Sequence, residues 1–135
     1  MQMRFLGLVL LVACSGVDSS PNGAGSFDDE VVRFRDTICE VGARCSGEDL
    51  VACKTDVTTD MNDAKAALDQ AGQARCATCV HVKRVEAQRI LDAACDFAAA
   101  DIVAVLDVCD LDPAIDYDQD GTPDNDDDEA CAGYP

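Results

Sequence analysis

Val31, Phe34, Ile38, Val41 and Cys45 recur at steps of three and four residues, which puts them on one stripe of an α-helix. Ser26 precedes the stripe and Asp29 follows three positions later, the spacing of a capping box. Asp28, Asp29 and Glu30 add negative charge to the first turn, where the helix dipole favours it. A first helix is therefore predicted from Ser26, with Cys39 beside its apolar face. Ser46 and Asp49 repeat the device, and Leu50, Cys53, Val57, Met61, Ala64, Leu68 and Ala71 continue at helical spacing. Gly72 is the expected stop. Thr58 and Thr59 are weak helix formers and predict a local irregularity.

From Arg75 to Cys109 there is no Gly or Pro. Cys76, Val80, Ala87, Ile90, Leu91 and Ala94 form one stripe, and Ile102, Val105, Leu106 and Cys109 form another. A compact bundle requires a reversal between them, and Asp96 to Asp101 is the expected place, giving two helices. Lys83, Arg84 and Arg89 are expected to face water or acidic partner helices. No stretch alternates with a period of two over the length of a strand, so no sheet is predicted. The fold class is all-α: a small disulfide-stapled bundle of three to four helices with an irregular acidic C-terminal tail.

The N-terminus has a different character. Arg4 is followed by an apolar run, Phe5 to Val12, too short to span a bilayer as a stable helix. Leu11-Val12-Ala13-Cys14 closes the run with a small residue before a cysteine, and resembles the lipobox of bacterial lipoproteins. The resemblance implies a signal peptide over residues 1–13 and a diacylglyceryl group on Cys14. It also implies an extracytoplasmic chain held at the bacterial outer membrane or cell surface by that lipid. Residues 14–26, rich in Ser and Gly with Pro21, read as a lipidated flexible tether. Ser15, where some sorting rules look for Asp, favours the outer membrane by the same resemblance.

Export changes how the cysteines are read. Of nine, Cys14 is assigned to lipid, leaving Cys39, Cys45, Cys53, Cys76, Cys79, Cys95, Cys109 and Cys131. An even number in a small exported domain reads as four disulfides, with 105 pairings open. Cys45 and Cys53 flank the first interhelical turn and are expected to bridge it; Cys131, tied to Cys109, would anchor the end of the tail. The cysteine-rich helical domain is bounded at residues 27–109. The formal net charge is −17, and no Lys or Arg follows Arg89. Such a surface repels nucleic acid and anionic headgroups and leaves divalent cations or basic proteins as partners.

The tail, residues 110–135, carries most of that charge. Pro113, Gly121 and Pro123 exclude a continuous helix. Within it, Asp116, Asp118, Asp120, Asp124 and Asp127 stand at positions 1, 3, 5, 9 and 12 of a loop. Gly121 occupies position 6, and the Thr122 carbonyl falls at position 7. Calcium takes six to eight oxygens, and alternating aspartates on a curling backbone supply several at once. The run resembles a thrombospondin type 3 repeat, and its opening is similar to that of an EF-hand loop. The likeness covers about a dozen residues. Asp127 replaces the bidentate Glu of an EF-hand, which implies weak binding. Cys131 falls two residues later than the repeat's usual cysteine, and there is a single repeat rather than several.

Other chemistry is poorly supported. Cys76-Ala77-Thr78-Cys79 is a CxxC at a helix start, but the strand-helix unit of a thioredoxin-like site is missing, and zinc would need a second such pair. His81, the one histidine, is expected to be exposed or at the edge of the core, with no nucleophile and acid singled out around it. No glycine-rich phosphate loop, HExxH or GxSxG occurs. The expected function is that of a non-enzymatic extracytoplasmic lipoprotein with a weak structural calcium site. Two alternatives stand beside it: a calcium-independent acidic module (inhibitor or adaptor) for a basic partner, and a thiol oxidoreductase using Cys76 and Cys79.

Overall fold

The computed structural model describes residues 23–109 and 130–131. Among them every regular element is helical, and the order is α1 (Phe27–Val41), α2 (Leu50–Ala67), α3 (Gln70–Asp92) and α4 (Ile102–Cys109). A π-helical turn at Gly42–Ser46 follows α1, and a 3-10 turn at Phe97–Ala99 separates α3 from α4. The stretch from Arg75 to Cys109 is thus two helices, as expected, but the reversal begins at Ala93, ahead of the expected Asp96, and runs to Asp101. None of the described helices is long and apolar enough to cross a membrane.

The Ser26 Oγ accepts from the Asp29 N–H at 3.3 Å and caps α1. The second cap differs from the expected one. Asp49, not Ser46, caps α2, its Oδ1 accepting from Ala52 N–H at 2.7 Å. Ser46 belongs to the wide turn that prolongs α1, and the chain breaks direction one residue later, at Gly47, with φ 72°. A residue without Cβ adopts that left-handed conformation at little cost.

α2 is peripheral and has no buried residue. Met61 and the following Leu68 lean on Phe27 and Cys76, while Lys65 pairs with Asp28 at 2.6 Å and Lys54 with Asp36 at 3.3 Å. The irregularity expected at Thr58 and Thr59 is not seen. Both hydroxyls donate to the carbonyl four residues back, Lys54 and Thr55, and the helix continues. The turn comes earlier than Gly72: Leu68 ends α2, and Asp69 caps α3 through the Gly72 N–H at 2.7 Å. Gln73 then donates its side-chain amide to the Lys65 and Leu68 carbonyls, supplying donors to the exposed end of α2. A Cβ on Gly72 would stand 2.9 Å from Leu68 Cδ2, so any larger residue there would make the Leu68 side chain shift.

α3 is the axis of the bundle. Cys76, Ala77, Cys79, Val80, Val82, Val85, Ala87 and Ile90 are all buried, on more than one side of the helix, with α1 and α4 packed against it. It ends in a Schellman arrangement: Cys95 N–H bonds to Ile90 O at 2.9 Å and Ala94 N–H to Leu91 O at 3.1 Å. The residue at the left-handed position is Ala94, φ 54°, and Cys95 follows at φ 69°. Non-glycine residues there cost about 1–2 kcal/mol each. The strain is retained because Cys95 is bridged to Cys45, which sits with Ile90 and Leu91 in one apolar cluster.

Replacing Ala94 with Gly relieves that strain and raises the thermal midpoint, by about 1 kcal/mol of stability. Gly47→Ala does the reverse by a similar amount. Calorimetry of the two variants checks both signs.

Candidate functional site

Cys76 and Cys79 are three residues apart on α3 and therefore project from the same face. Each is fully buried and bridged to a different partner: Cys76 to Cys131, with Cα atoms 4.6 Å apart, and Cys79 to Cys109, with Cα atoms 4.8 Å apart. Cys109 is the last residue of α4, and the Ala130 N–H donates to its carbonyl at 3.3 Å. Ala130 is buried between Cys79 and Cys109, with Val105 against them. Residues 109 and 130–131, which bound the acidic segment, are thus fixed side by side on one turn of α3. The CxxC acts as two separate anchors and forms no bridge within itself. A buried disulfide sulfur is also out of reach of an attacking thiolate until the bundle opens locally.

Two expected pairings are corrected. Cys45 does not bridge the first turn to Cys53; Cys39 does, from the flank of α1 that faces α2. The π-helical turn carries Cys45 on to the end of α3, where Cys95 meets it. Cys131 does not pair with Cys109, because both lie against α3 and each takes the α3 cysteine nearest to it. Together the four bridges use all eight cysteines expected to be oxidised.

Asp116, Asp118, Asp120, Thr122, Asp124 and Asp127, the residues of the calcium-like spacing, lie outside the described residues, as does Cys14. Among the described residues no group of three or more His, Cys, Asp or Glu is placed to hold a metal ion.

The bundle also buries two carboxylates, Glu30 and Glu86. Glu30 is fully buried. Its Oε1 accepts from the Gly25 N–H at 2.9 Å and lies 3.2 Å from His81 Nδ1; its Oε2 lies 3.4 Å from Arg84 Nε. Burial by itself raises the Glu30 pKa. The Gly25 N–H and the charges of His81 and Arg84 outweigh that effect and hold the pKa below its ordinary value. His81 is 4% exposed, so it is an interior residue of this network and neither exposed nor at the core's edge. Arg84 meets the acidic helix α1, one of the two expected alternatives, through the buried Glu30. Helical position was the available signal, since Glu30 falls between Phe27 and Phe34 on the stripe of α1 that packs inward.

Glu86 is the second buried carboxylate, at 2% exposure. Its Oε2 accepts from the Asp101 N–H at 2.7 Å, tying the start of α4 to the middle of α3. Its Oε1 is 3.2 Å from Arg89 Nε, but lacks a hydrogen bond of acceptable direction. Beside Glu86, Phe34, Ile38, Ala100, Ile102 and Val105 line an apolar groove of about 290 Å³ between α1, α3 and α4. No protein-family model, curated protein or solved structure matches the chain.

Because the folded pKa of Glu30 is depressed, the stability it contributes is complete above its ordinary carboxylate value and is lost as pH falls through the lower folded value. Glu30→Gln is expected to cost about 3 kcal/mol near pH 7 and progressively less in acid, measured by denaturant titration across pH. Replacing Cys76 and Cys131 together by Ser removes one anchor and costs about 2–4 kcal/mol in the same assay.

Proposed function

We propose that the chain is a non-enzymatic extracytoplasmic lipoprotein, anchored through Cys14, whose acidic segment forms a weak structural calcium site. The observation that carries this reading is the double anchorage of residues 109 and 130–131 on α3. Five aspartates drawn together without a cation repel one another, and gathering them also costs the entropy of closing the chain. Anchors at both ends remove part of that cost before any ion arrives. A cation such as calcium, taking oxygens from Asp116, Asp118, Asp120, Asp124 and Asp127 and the Thr122 carbonyl, supplies the remaining attraction.

The four disulfides agree with an oxidising compartment, as the lipobox resemblance implies. The role of calcium in this reading is structural: it orders the acidic segment or bridges it to a neighbouring acidic surface. The net charge of −17 supports a second reading, in which the same acidic face binds a basic protein without calcium.

Calorimetric titration of oxidised residues 15–135 with calcium separates the two readings. The expected result is binding with a dissociation constant on the order of 10⁻⁴–10⁻³ M, abolished when Asp118 and Asp120 are changed to Ala. No heat, or heat unaltered in the variant, contradicts the calcium site. Binding of a basic protein that weakens steeply with salt and ignores calcium would favour the second reading. For the anchor, intact-mass analysis of protein from a lipoprotein-processing host should find residues 1–13 removed and Cys14 diacylated. A chain retaining Met1 with an unmodified Cys14 contradicts it.

A further inference from the structure

The four disulfides are not equally placed. Cys39–Cys53 and Cys76–Cys131 each contain one fully buried cysteine, Cys39 and Cys76, and in Cys79–Cys109 both are fully buried. Cys45–Cys95 is the one bridge whose two cysteines are both partly exposed. The difference bears on exchange chemistry, because attack on one sulfur expels the other as a thiolate. A departing thiolate leaves slowly where apolar burial raises its pKa. Attack on the half-buried Cys53 or Cys131 expels Cys39 or Cys76 into the interior. At Cys45–Cys95 either departing thiolate belongs to a residue still open to water. The flanking Arg44, Ser46, Ala94 and Asp96 are exposed as well.

The backbone at both ends of this bridge is unusual. Cys95 has φ 69° and Ala94 before it φ 54°, the two non-glycine residues with positive φ among those described. Opening the bridge lets Cys95 return to an ordinary φ, so reduction there relieves strain that the fold otherwise retains. Cys45 lies within the π-helical turn Gly42–Ser46, a rare geometry that recurs at functional sites. We propose that Cys45–Cys95 is a site of thiol–disulfide exchange, open to a dithiol reductant in the folded protein while the other three bridges stay closed. One thiolate of the dithiol attacks a sulfur of the bridge, forming a mixed disulfide and expelling the other cysteine, which takes a proton from water. The second thiol of the dithiol, deprotonated, then attacks its own sulfur in the mixed disulfide and releases the remaining cysteine. The dithiol loses two electrons and becomes a disulfide; the bridge gains two and becomes two thiols. Reduction frees the turn after α1 from the end of α3 and loosens the cluster of Val41, Ala87 and Ile90, while α3 stays joined to Cys109 and Cys131. The chain is the substrate of this exchange and not its catalyst, and the inference is independent of the calcium site and the lipid anchor.

The test uses the oxidised full chain carrying Cys14→Ser, so that no free thiol reshuffles the bridges, in native buffer with limiting dithiothreitol. Free thiols are alkylated at intervals and located by mass spectrometry of the peptides. Cys45 and Cys95 are expected to be labelled together, about tenfold faster than any other pair, with the helical circular dichroism retained. Replacing both Cys45 and Cys95 by Ser should remove the fast labelling and leave the other cysteines protected over the same period. Earlier labelling of any other pair, Cys39 and Cys53 being the nearest rival, overturns the proposal. So does loss of all four bridges in a single phase. Should the double variant fail to fold, the order of labelling in the Cys14→Ser protein decides the question alone.

Discussion

Covalent attachment to α3 is the constraint from which the rest of this structure follows. Cys76 and Cys79 hold Cys131 and Cys109, and Cys95, just beyond the helix, holds Cys45. α3 is thereby tied to the end of α4, to the far side of the acidic segment, and to the turn after α1. A small chain with no Trp, two Tyr and four Phe has little aromatic surface with which to build a core. Cross-links compensate by restricting the unfolded chain, and they do so most where they close long loops. The bridges Cys76–Cys131 and Cys45–Cys95, with separations of 55 and 50 residues, are of that kind.

A second consequence is that the interior can tolerate charge. Glu30 and Glu86 sit inside the bundle, one meeting His81 and Arg84, the other the N–H of Asp101. Buried ion pairs seldom add net stability over apolar packing, yet removing one partner is costly. Their effect here is positional. Glu30 fixes the entry to α1 through Gly25 and joins α1 to α3; Glu86 fixes the entry to α4. α2, with no buried residue, relies instead on the Cys39–Cys53 bridge and surface pairs.

Much of this architecture was legible in the sequence, and the limits have physical causes. Local signals were sound where the chain decides locally: the Ser26 cap, the stripe of α1, the all-helical class and the existence of a reversal before α4, though it starts at Ala93 and not at Asp96. They were misleading where two local devices compete. Ser46-x-x-Asp49 has cap spacing, but Gly47 in the left-handed region leaves Asp49 as the cap. Gly72 looked like a stop, yet it is a point of close approach inside the first turn of α3. Disulfide pairing was not legible at all, because it depends on which helix faces meet. The burial of Glu30 and Glu86 was not foreseen, because nothing in a helical stripe says which charged position will be covered, although the position of Glu30 between Phe27 and Phe34 was a usable sign. For the proposed calcium site, the spacing of Asp116 to Asp127 with Gly121 was what the sequence offered; the anchors that bring residues 109 and 130 together were not deducible from it.

The central claim is that adjacent cysteines of one helix hold the two ends of the acidic segment separately. Proteolysis of the oxidised protein without reduction, followed by mass spectrometry of the linked peptides, tests it most directly. The account predicts peptides joined through Cys76–Cys131 and Cys79–Cys109, resolved by fragmentation between residues 76 and 79. Peptides joined through Cys109–Cys131, or a bridge between Cys76 and Cys79 themselves, would contradict it.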